Sequence, residues 1–126
     1  MMKWAHSFIT ACGISLAASL VPQAALADFI DGNTLRLYCN SGSPQDEAVC
    51  IVYITGAVDA FTTAELIAQK TNGQEPGLCL PEEADPDALT SITRAWLDRR
   101  ETNLAFAATL LILAAVDDAY GCDKAK

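Results

Sequence analysis

The sequence predicts an all-α fold, a small four-helix domain packed around a buried C-terminal helix. Three observations point there. Apolar residues recur at three- and four-residue spacing, prolines and capping residues stand at the heads of those stretches, and no run alternates as a half-buried strand would. The domain is expected over residues 28–126, because residues 1–27 have the pattern of a secretory signal peptide. Lys3 supplies a positive start, residues 8–21 are mostly apolar, and Ala25 and Ala27 are small residues at the positions a signal peptidase reads. The apolar run is short for a membrane span, which needs about 20 residues. The stretch ITAC ending at Cys12 loosely matches a lipoprotein cleavage box, but the apolar segment before it is far too short.

The first helix is expected over residues 33–39, with Asn33 as its cap and Leu35 and Tyr38 on one face. The turn cluster NSGSP follows at residues 40–44. Ser43 then caps the second helix, Pro44 takes its first position, and Asp46 and Glu47 meet the positive dipole end. This helix is expected to run to about Gln69. Cys50, Ile54, Val58 and Phe61 form its face, and Val49, Val52, Tyr53 and Ala57 widen it, which predicts burial on more than one side. Gly56 costs about 1 kcal/mol against alanine in mid-helix, so a second helix is expected to pass close to it. Asp59, flanked by Val58 and Ala60, is expected to be buried and bonded to backbone or to a nearby hydroxyl.

After the irregular stretch at residues 71–77, Asp85 caps the third helix and Pro86 begins it. Leu89, Ile92, Trp96 and Leu97 make its apolar stripe, which places Trp96 in the core rather than on a ligand platform. Residues 98–103 are a charged connection. The fourth helix is expected over residues 104–116, which carry no charge. At about 1.5 Å per residue it is too short for a bilayer and reads as a core helix, with Asp117 and Asp118 ending the run and Gly121 capping it.

Composition removes most chemistry. The only histidine, His6, lies in the signal segment, so a cleaved chain has no histidine to activate a serine or cysteine or to bind catalytic zinc. No phosphate-cradling glycine loop is present. The acids Glu82, Glu83, Asp85 and Asp87 crowd one helix start, where carboxylates serve capping and the dipole rather than glycoside cleavage. An enzyme is not expected, nor any cofactor. After cleavage seven basic residues stand against 16 acidic ones, a net charge of −9. That surface repels nucleic acid and anionic membranes and favours solubility or encounter with a basic protein. A binding module is the leading class.

Four cysteines remain after cleavage: Cys39, Cys50, Cys79 and Cys122. Their even number in a small exported chain points to two disulfides, with three pairings open. Gaps of 11, 29 and 43 positions are unlike the close pairs of structural zinc sites, so no metal is expected. The absence of a close-spaced pair also argues against a thiol–disulfide enzyme.

Four stretches occur in order: GNTLRLYC at residues 32–39, CIVYITGAVDA at 50–60, GLCLP at 77–81 and DAYGC at 118–122. Together they resemble the Rap/Tai family of immunity proteins against type VI secretion amidase effectors, over nearly all of residues 28–126. The resemblance implies an exported, all-helical, often dimeric protein that binds a peptidoglycan-cleaving amidase and occludes its active-site cleft. The departure is the connection after the third helix. Family members often carry a proline there, and this chain has RRETN.

These readings converge on a periplasmic immunity protein whose partner is a peptidoglycan amidase effector, with homodimer formation expected from the resemblance. The contact surface is placed on Arg99, Arg100, Glu101, Thr102 and Asn103, with residues 71–75 as second choice. The alternative from another class is a small acidic periplasmic chaperone or stress protein without a toxin partner. For the cysteines, Cys39 ends the first helix and Cys50 lies in the first turns of the second, so the turn between them favours Cys39–Cys50. That leaves Cys79 for Cys122.

Overall fold

The structure is a computed structural model that describes residues 30–124; the signal peptide expected at residues 1–27 lies outside the described residues. Four helices follow one another: α1 (Gly32–Asn40), α2 (Pro44–Asn72), α3 (Pro86–Leu97) and α4 (Ala108–Tyr120). Among the described residues there is no strand, only two isolated antiparallel bridges, Asp31 with Ala107 and Leu78 with Gly121. All six pairs of helices touch. Their common core holds Leu35 of α1, Ile54 and Val58 of α2, Leu97 of α3, and Ile112 and Val116 of α4.

The starts of α2 and α3 are the predicted ones. Pro44 and Pro86 occupy first-turn positions where their missing N–H costs nothing. Asp85 caps α3 by accepting the Ala88 N–H at 2.8 Å. Ser43 sits at the cap of α2, but its hydroxyl bonds Gln45 Oε1 instead of a backbone amide. The α2 helix runs on to Asn72 and is closed by Gly73, whose φ of 71° is the left-handed conformation that glycine adopts freely.

Two helices differ in their limits from the sequence expectation, for one shared reason. The cap of α1 is Asp31, which accepts the Thr34 N–H at 2.8 Å, and not Asn33. The Asn33 amide is used elsewhere, donating to the Leu104 carbonyl at 3.1 Å. The first backbone amides of α1 also find partners outside their helix: Gly32 N–H bonds Phe106 O at 3.0 Å and Asn33 N–H bonds Leu104 O at 3.2 Å. Residues 104–107 are therefore spent satisfying the orphan donors of another helix, and α4 starts only at Ala108. Gly32 fits this junction because a Cβ there would collide with the Leu111 side chain. At its other end α4 continues through Asp117 and Asp118 to Tyr120. The unfavourable acids of that last turn are offset by Lys124, whose ammonium donates to the carbonyls of Asp117 and Asp118 at 3.2 and 2.8 Å.

Four burial expectations are corrected. The inner face of α2 buries Cys50, Ile54 and Val58, but Val49 and Val52 are exposed, so the helix is buried on one side only. Among the described residues no atom of another segment lies within 4 Å of a Cβ built on Gly56, so none of the four helices passes there. Asp59 is exposed, and the Thr62 hydroxyl bonds its backbone carbonyl rather than its carboxylate. The α4 helix is apolar in sequence yet packs through a stripe of Ala108, Leu111, Ile112, Ala115 and Val116, while Leu110 is exposed.

The disulfides are Cys39–Cys50 and Cys79–Cys122. Cys39 and Cys50 are core residues, 5% and 0% exposed. Cys79 is exposed and Cys122 half-buried. The four described cysteines are all paired, and no group of three metal-ligating side chains forms among the described residues. By length and composition α2 could cross a bilayer. Its disulfide to α1 and its packing against α1, α3 and α4 hold one face to the domain, and only 17% of its apolar stretch is buried.

Candidate partner-binding surface

The connection between α3 and α4 is short of regular structure yet fixed along its length. At its start Asp98 N–H bonds Arg94 O, Arg99 N–H bonds Trp96 O, and the Thr102 hydroxyl returns to Trp96 O at 2.8 Å. At its end the carbonyls of Leu104 and Phe106 are held by the first turn of α1, and Ala108 N–H bonds Ile30 O at 3.0 Å. Asn103 stabilises the turn between these anchors, accepting the Ala105 N–H on its side chain at 3.1 Å.

Charge ties the same segment to its neighbours. Arg36 Nε donates to Asp98 Oδ1 at 2.9 Å. Arg99 stacks over the Trp96 ring at 4.2 Å and donates to Asp118 Oδ2 at 3.0 Å. Trp96 is consequently half-buried, covered on one side by a cation instead of sunk in the core. Arg99 and Lys124, both bonded to the Asp118 carboxylate, hold it below the ordinary aspartate range, with the Arg99 bond the larger cause. Asp31 is likewise held low, chiefly by the Thr34 amide and with help from Asn33.

The five residues singled out in the sequence therefore divide by role. Arg99 and Thr102 are internal fasteners of the connection. Arg100, Glu101 and Asn103 are exposed on it. Sequence reasoning missed Phe106 and Leu110, which are 52% and 53% exposed at the end of the connection and the start of α4. An apolar run read as buried helix hid them. Residues 71–75 are less suited to contact. The end of α2 takes up Thr71 and Asn72, and Gln74 N–H bonds the Asn72 side chain at 3.1 Å. A cleft lined by Asn33, Arg36, Leu37, Tyr38, Ser41 and Asp46 lies beside α1.

The connection is thus a charged, hydrogen-bonded segment flanked by the exposed apolar side chains of Phe106 and Leu110. The sequence model of the Rap1a immunity proteins matches residues 31–122, which includes all four helices and both disulfides. The chain belongs to the Rap1a immunity protein family. No curated protein and no solved structure gives a significant match. Membership in the Rap1a family makes this an immunity protein directed at a toxin effector. The boundaries of the match begin at the cap of α1 and end at the last disulfide cysteine, so the family pattern coincides with the stapled four-helix unit.

Proposed function

We propose that this Rap1a-family member is exported to the periplasm, where it binds a peptidoglycan amidase delivered by a type VI secretion system and occludes its active-site cleft. The observation that carries the reading is the connection at residues 98–107. It is anchored at both ends, and it presents Arg100, Glu101 and Phe106 to solvent. A preformed segment loses little conformational entropy on entering a cleft, which is what an inhibitor needs. The signal-peptide pattern of residues 1–27 supports export, and the acidic surface favours encounter with a basic enzyme. The amidase supplies the chemistry; this chain supplies shape and charge.

The test is periplasmic co-expression with the amidase encoded beside it. Cells survive and a complex co-purifies if the reading is right, and Arg100→Ala with Glu101→Ala weakens the complex. No protection and no complex with any neighbouring amidase would sink it. Suppression of client aggregation at low pH, without amidase binding, would favour the chaperone alternative instead.

We also propose that the chain forms a homodimer through the uncovered face of α2. Val49, Val52, Gly56, Ala60, Thr63 and Ile67 fall on one stripe at helical spacing, spanning about 27 Å along the axis. Val52 and Ile67 are 65% and 57% exposed. Gly56 and Ala60 are small enough to let a second α2 come close at the centre. Sedimentation equilibrium should give a dimer, and Val52→Glu a monomer. A wild-type monomer whose amidase binding is lost in Val52→Glu would assign this face to the toxin.

A further inference from the structure

We propose that the Cys79–Cys122 disulfide is a redox-sensitive clamp that sets the order of the connection at residues 98–107, acting through the last turn of α4. A continuous series of bonds links the two. Around the disulfide, Cys79 N–H bonds Tyr120 O and Cys122 N–H bonds Gly77 O, each at 2.8 Å, so the segment 77–79 clasps the end of α4. Two residues beyond Cys122, Lys124 folds back onto that helix and donates to Asp118 Oδ1 at 3.2 Å. The other oxygen of Asp118 accepts Arg99 at 3.0 Å. Arg99 covers Trp96, whose carbonyl receives the Thr102 hydroxyl and the Arg99 amide. Gly121 makes the junction tight: a Cβ there would lie 2.8 Å from Asp117 O.

Exposure selects this disulfide over the other. Cys79 is exposed, whereas Cys39 and Cys50 are sealed in the core at 5% and 0%. A reducing dithiol can therefore reach the Cys79–Cys122 bond without unfolding the domain. One thiolate of the dithiol attacks a sulfur to form a mixed disulfide, and the second thiol resolves it. The dithiol becomes a disulfide, and Cys79 and Cys122 each leave as a thiol, so two electrons and two protons are transferred. Residues 121–124 are then held only by their hydrogen bonds. The last turn of α4 frays, Asp118 leaves Arg99, and the start of the connection loosens. The consequence for toxin binding rests on the reading of this connection as the contact surface; the clamp itself does not.

The test uses the full mature chain and dithiothreitol, with alkylation and mass mapping to identify which cysteines open first. Cys79 and Cys122 are labelled while Cys39 and Cys50 stay paired. Hydrogen exchange of amides 99–106 in that species speeds up about fivefold or more, with α1 and the first half of α2 unchanged. Asp118→Asn, with both disulfides intact, reproduces the faster exchange at residues 99–102. Prior labelling of Cys39 and Cys50, or unchanged exchange at 99–106 after selective reduction, overturns the clamp. So does an Asp118→Asn variant that exchanges like wild type. Amidase affinity is measured on the same samples. Faster exchange with weaker binding supports clamp and contact surface together, and faster exchange with unchanged binding keeps the clamp and removes the contact reading.

Discussion

Cys39–Cys50 and Cys79–Cys122 join this small domain at two places that differ in kind. The first links α1 to the early turns of α2 across 11 positions, with both residues inside the core. The second ties an irregular segment to the end of α4 across 43 positions, at the surface and beside a backbone clasp. Chain entropy alone ranks the longer loop higher, at about 4 kcal/mol against about 3. Packing ranks them the other way, because only the first pair fills core volume. The contrast teaches that a disulfide can be a core residue pair or a loop anchor, and that loop length does not say which.

The largest effect should come from Cys39→Ser with Cys50→Ser. It removes the staple, worth about 3 kcal/mol, and leaves two hydroxyls in the core at roughly 1–3 kcal/mol each if they stay unpaired. A loss of about 5 kcal/mol or more would leave a domain of this size mostly unfolded. Urea titration followed by circular dichroism measures it. Next comes Cys79→Ser with Cys122→Ser, for which the entropy figure of about 4 kcal/mol is a ceiling. Both new hydroxyls can reach water, and the bonds of Cys79 to Tyr120 and Cys122 to Gly77 remain to hold the segment. If this pair destabilises more than the first, chain entropy governs both disulfides and the packing distinction fails.

A third, smaller effect probes the segment that the surface disulfide anchors. Asp85 caps α3 six residues after Cys79, and Asp85→Ala should cost about 1 kcal/mol by thermal melting. The cost should be unchanged when Cys79 and Cys122 are reduced, since the cap bond to Ala88 lies within its own turn. A cap whose worth depends on the disulfide would mean that the anchor extends into α3, not only into α4.

How much of this was legible in the sequence follows from where the signals are local. Pro44, Pro86 and Asp85 act within one turn of themselves, so the starts of α2 and α3 could be read directly. The Cys39–Cys50 pairing was legible because a short turn separates the two helices it joins. The start of α4 was not, because Leu104 and Phe106 are set by hydrogen bonds to α1, more than 60 positions away in sequence. Apolar character alone could not distinguish that segment from a first helical turn. The outer face of α2 misled for another reason. Val49, Val52 and Gly56 carry the pattern of a packed helix, and a pattern of this sort does not say whether the partner is the same chain. Arg100 and Glu101 were legible as a charged connection. The bonds that hold that connection were not, since Arg99 reaches Asp118 on α4 and Leu104 is reached by Asn33 of α1.

The smallest effect is electrostatic, and it separates the two regions by pH. Asp118 and Asp31 flank the connection at residues 98–107, and both titrate below the ordinary aspartate value of 3.8 in the folded protein. A carboxyl whose folded value is depressed stabilises the fold above its unfolded value and loses that contribution as pH falls through the folded one. The connection should therefore keep its order from neutral pH down to the ordinary aspartate value of 3.8 and lose it only in stronger acid. Both groups are exposed and their ion pairs are screened by salt, so the change in global stability should be slight. Nuclear magnetic resonance can follow the Asp118 carboxyl and the amides of residues 99–106 in one titration. The region around Cys39–Cys50 should stay unchanged over the range in which those amides lose protection. If Asp118 titrates at or above the ordinary value, Arg99 does not engage it in solution, and the link between the surface disulfide and the connection loses its central bond.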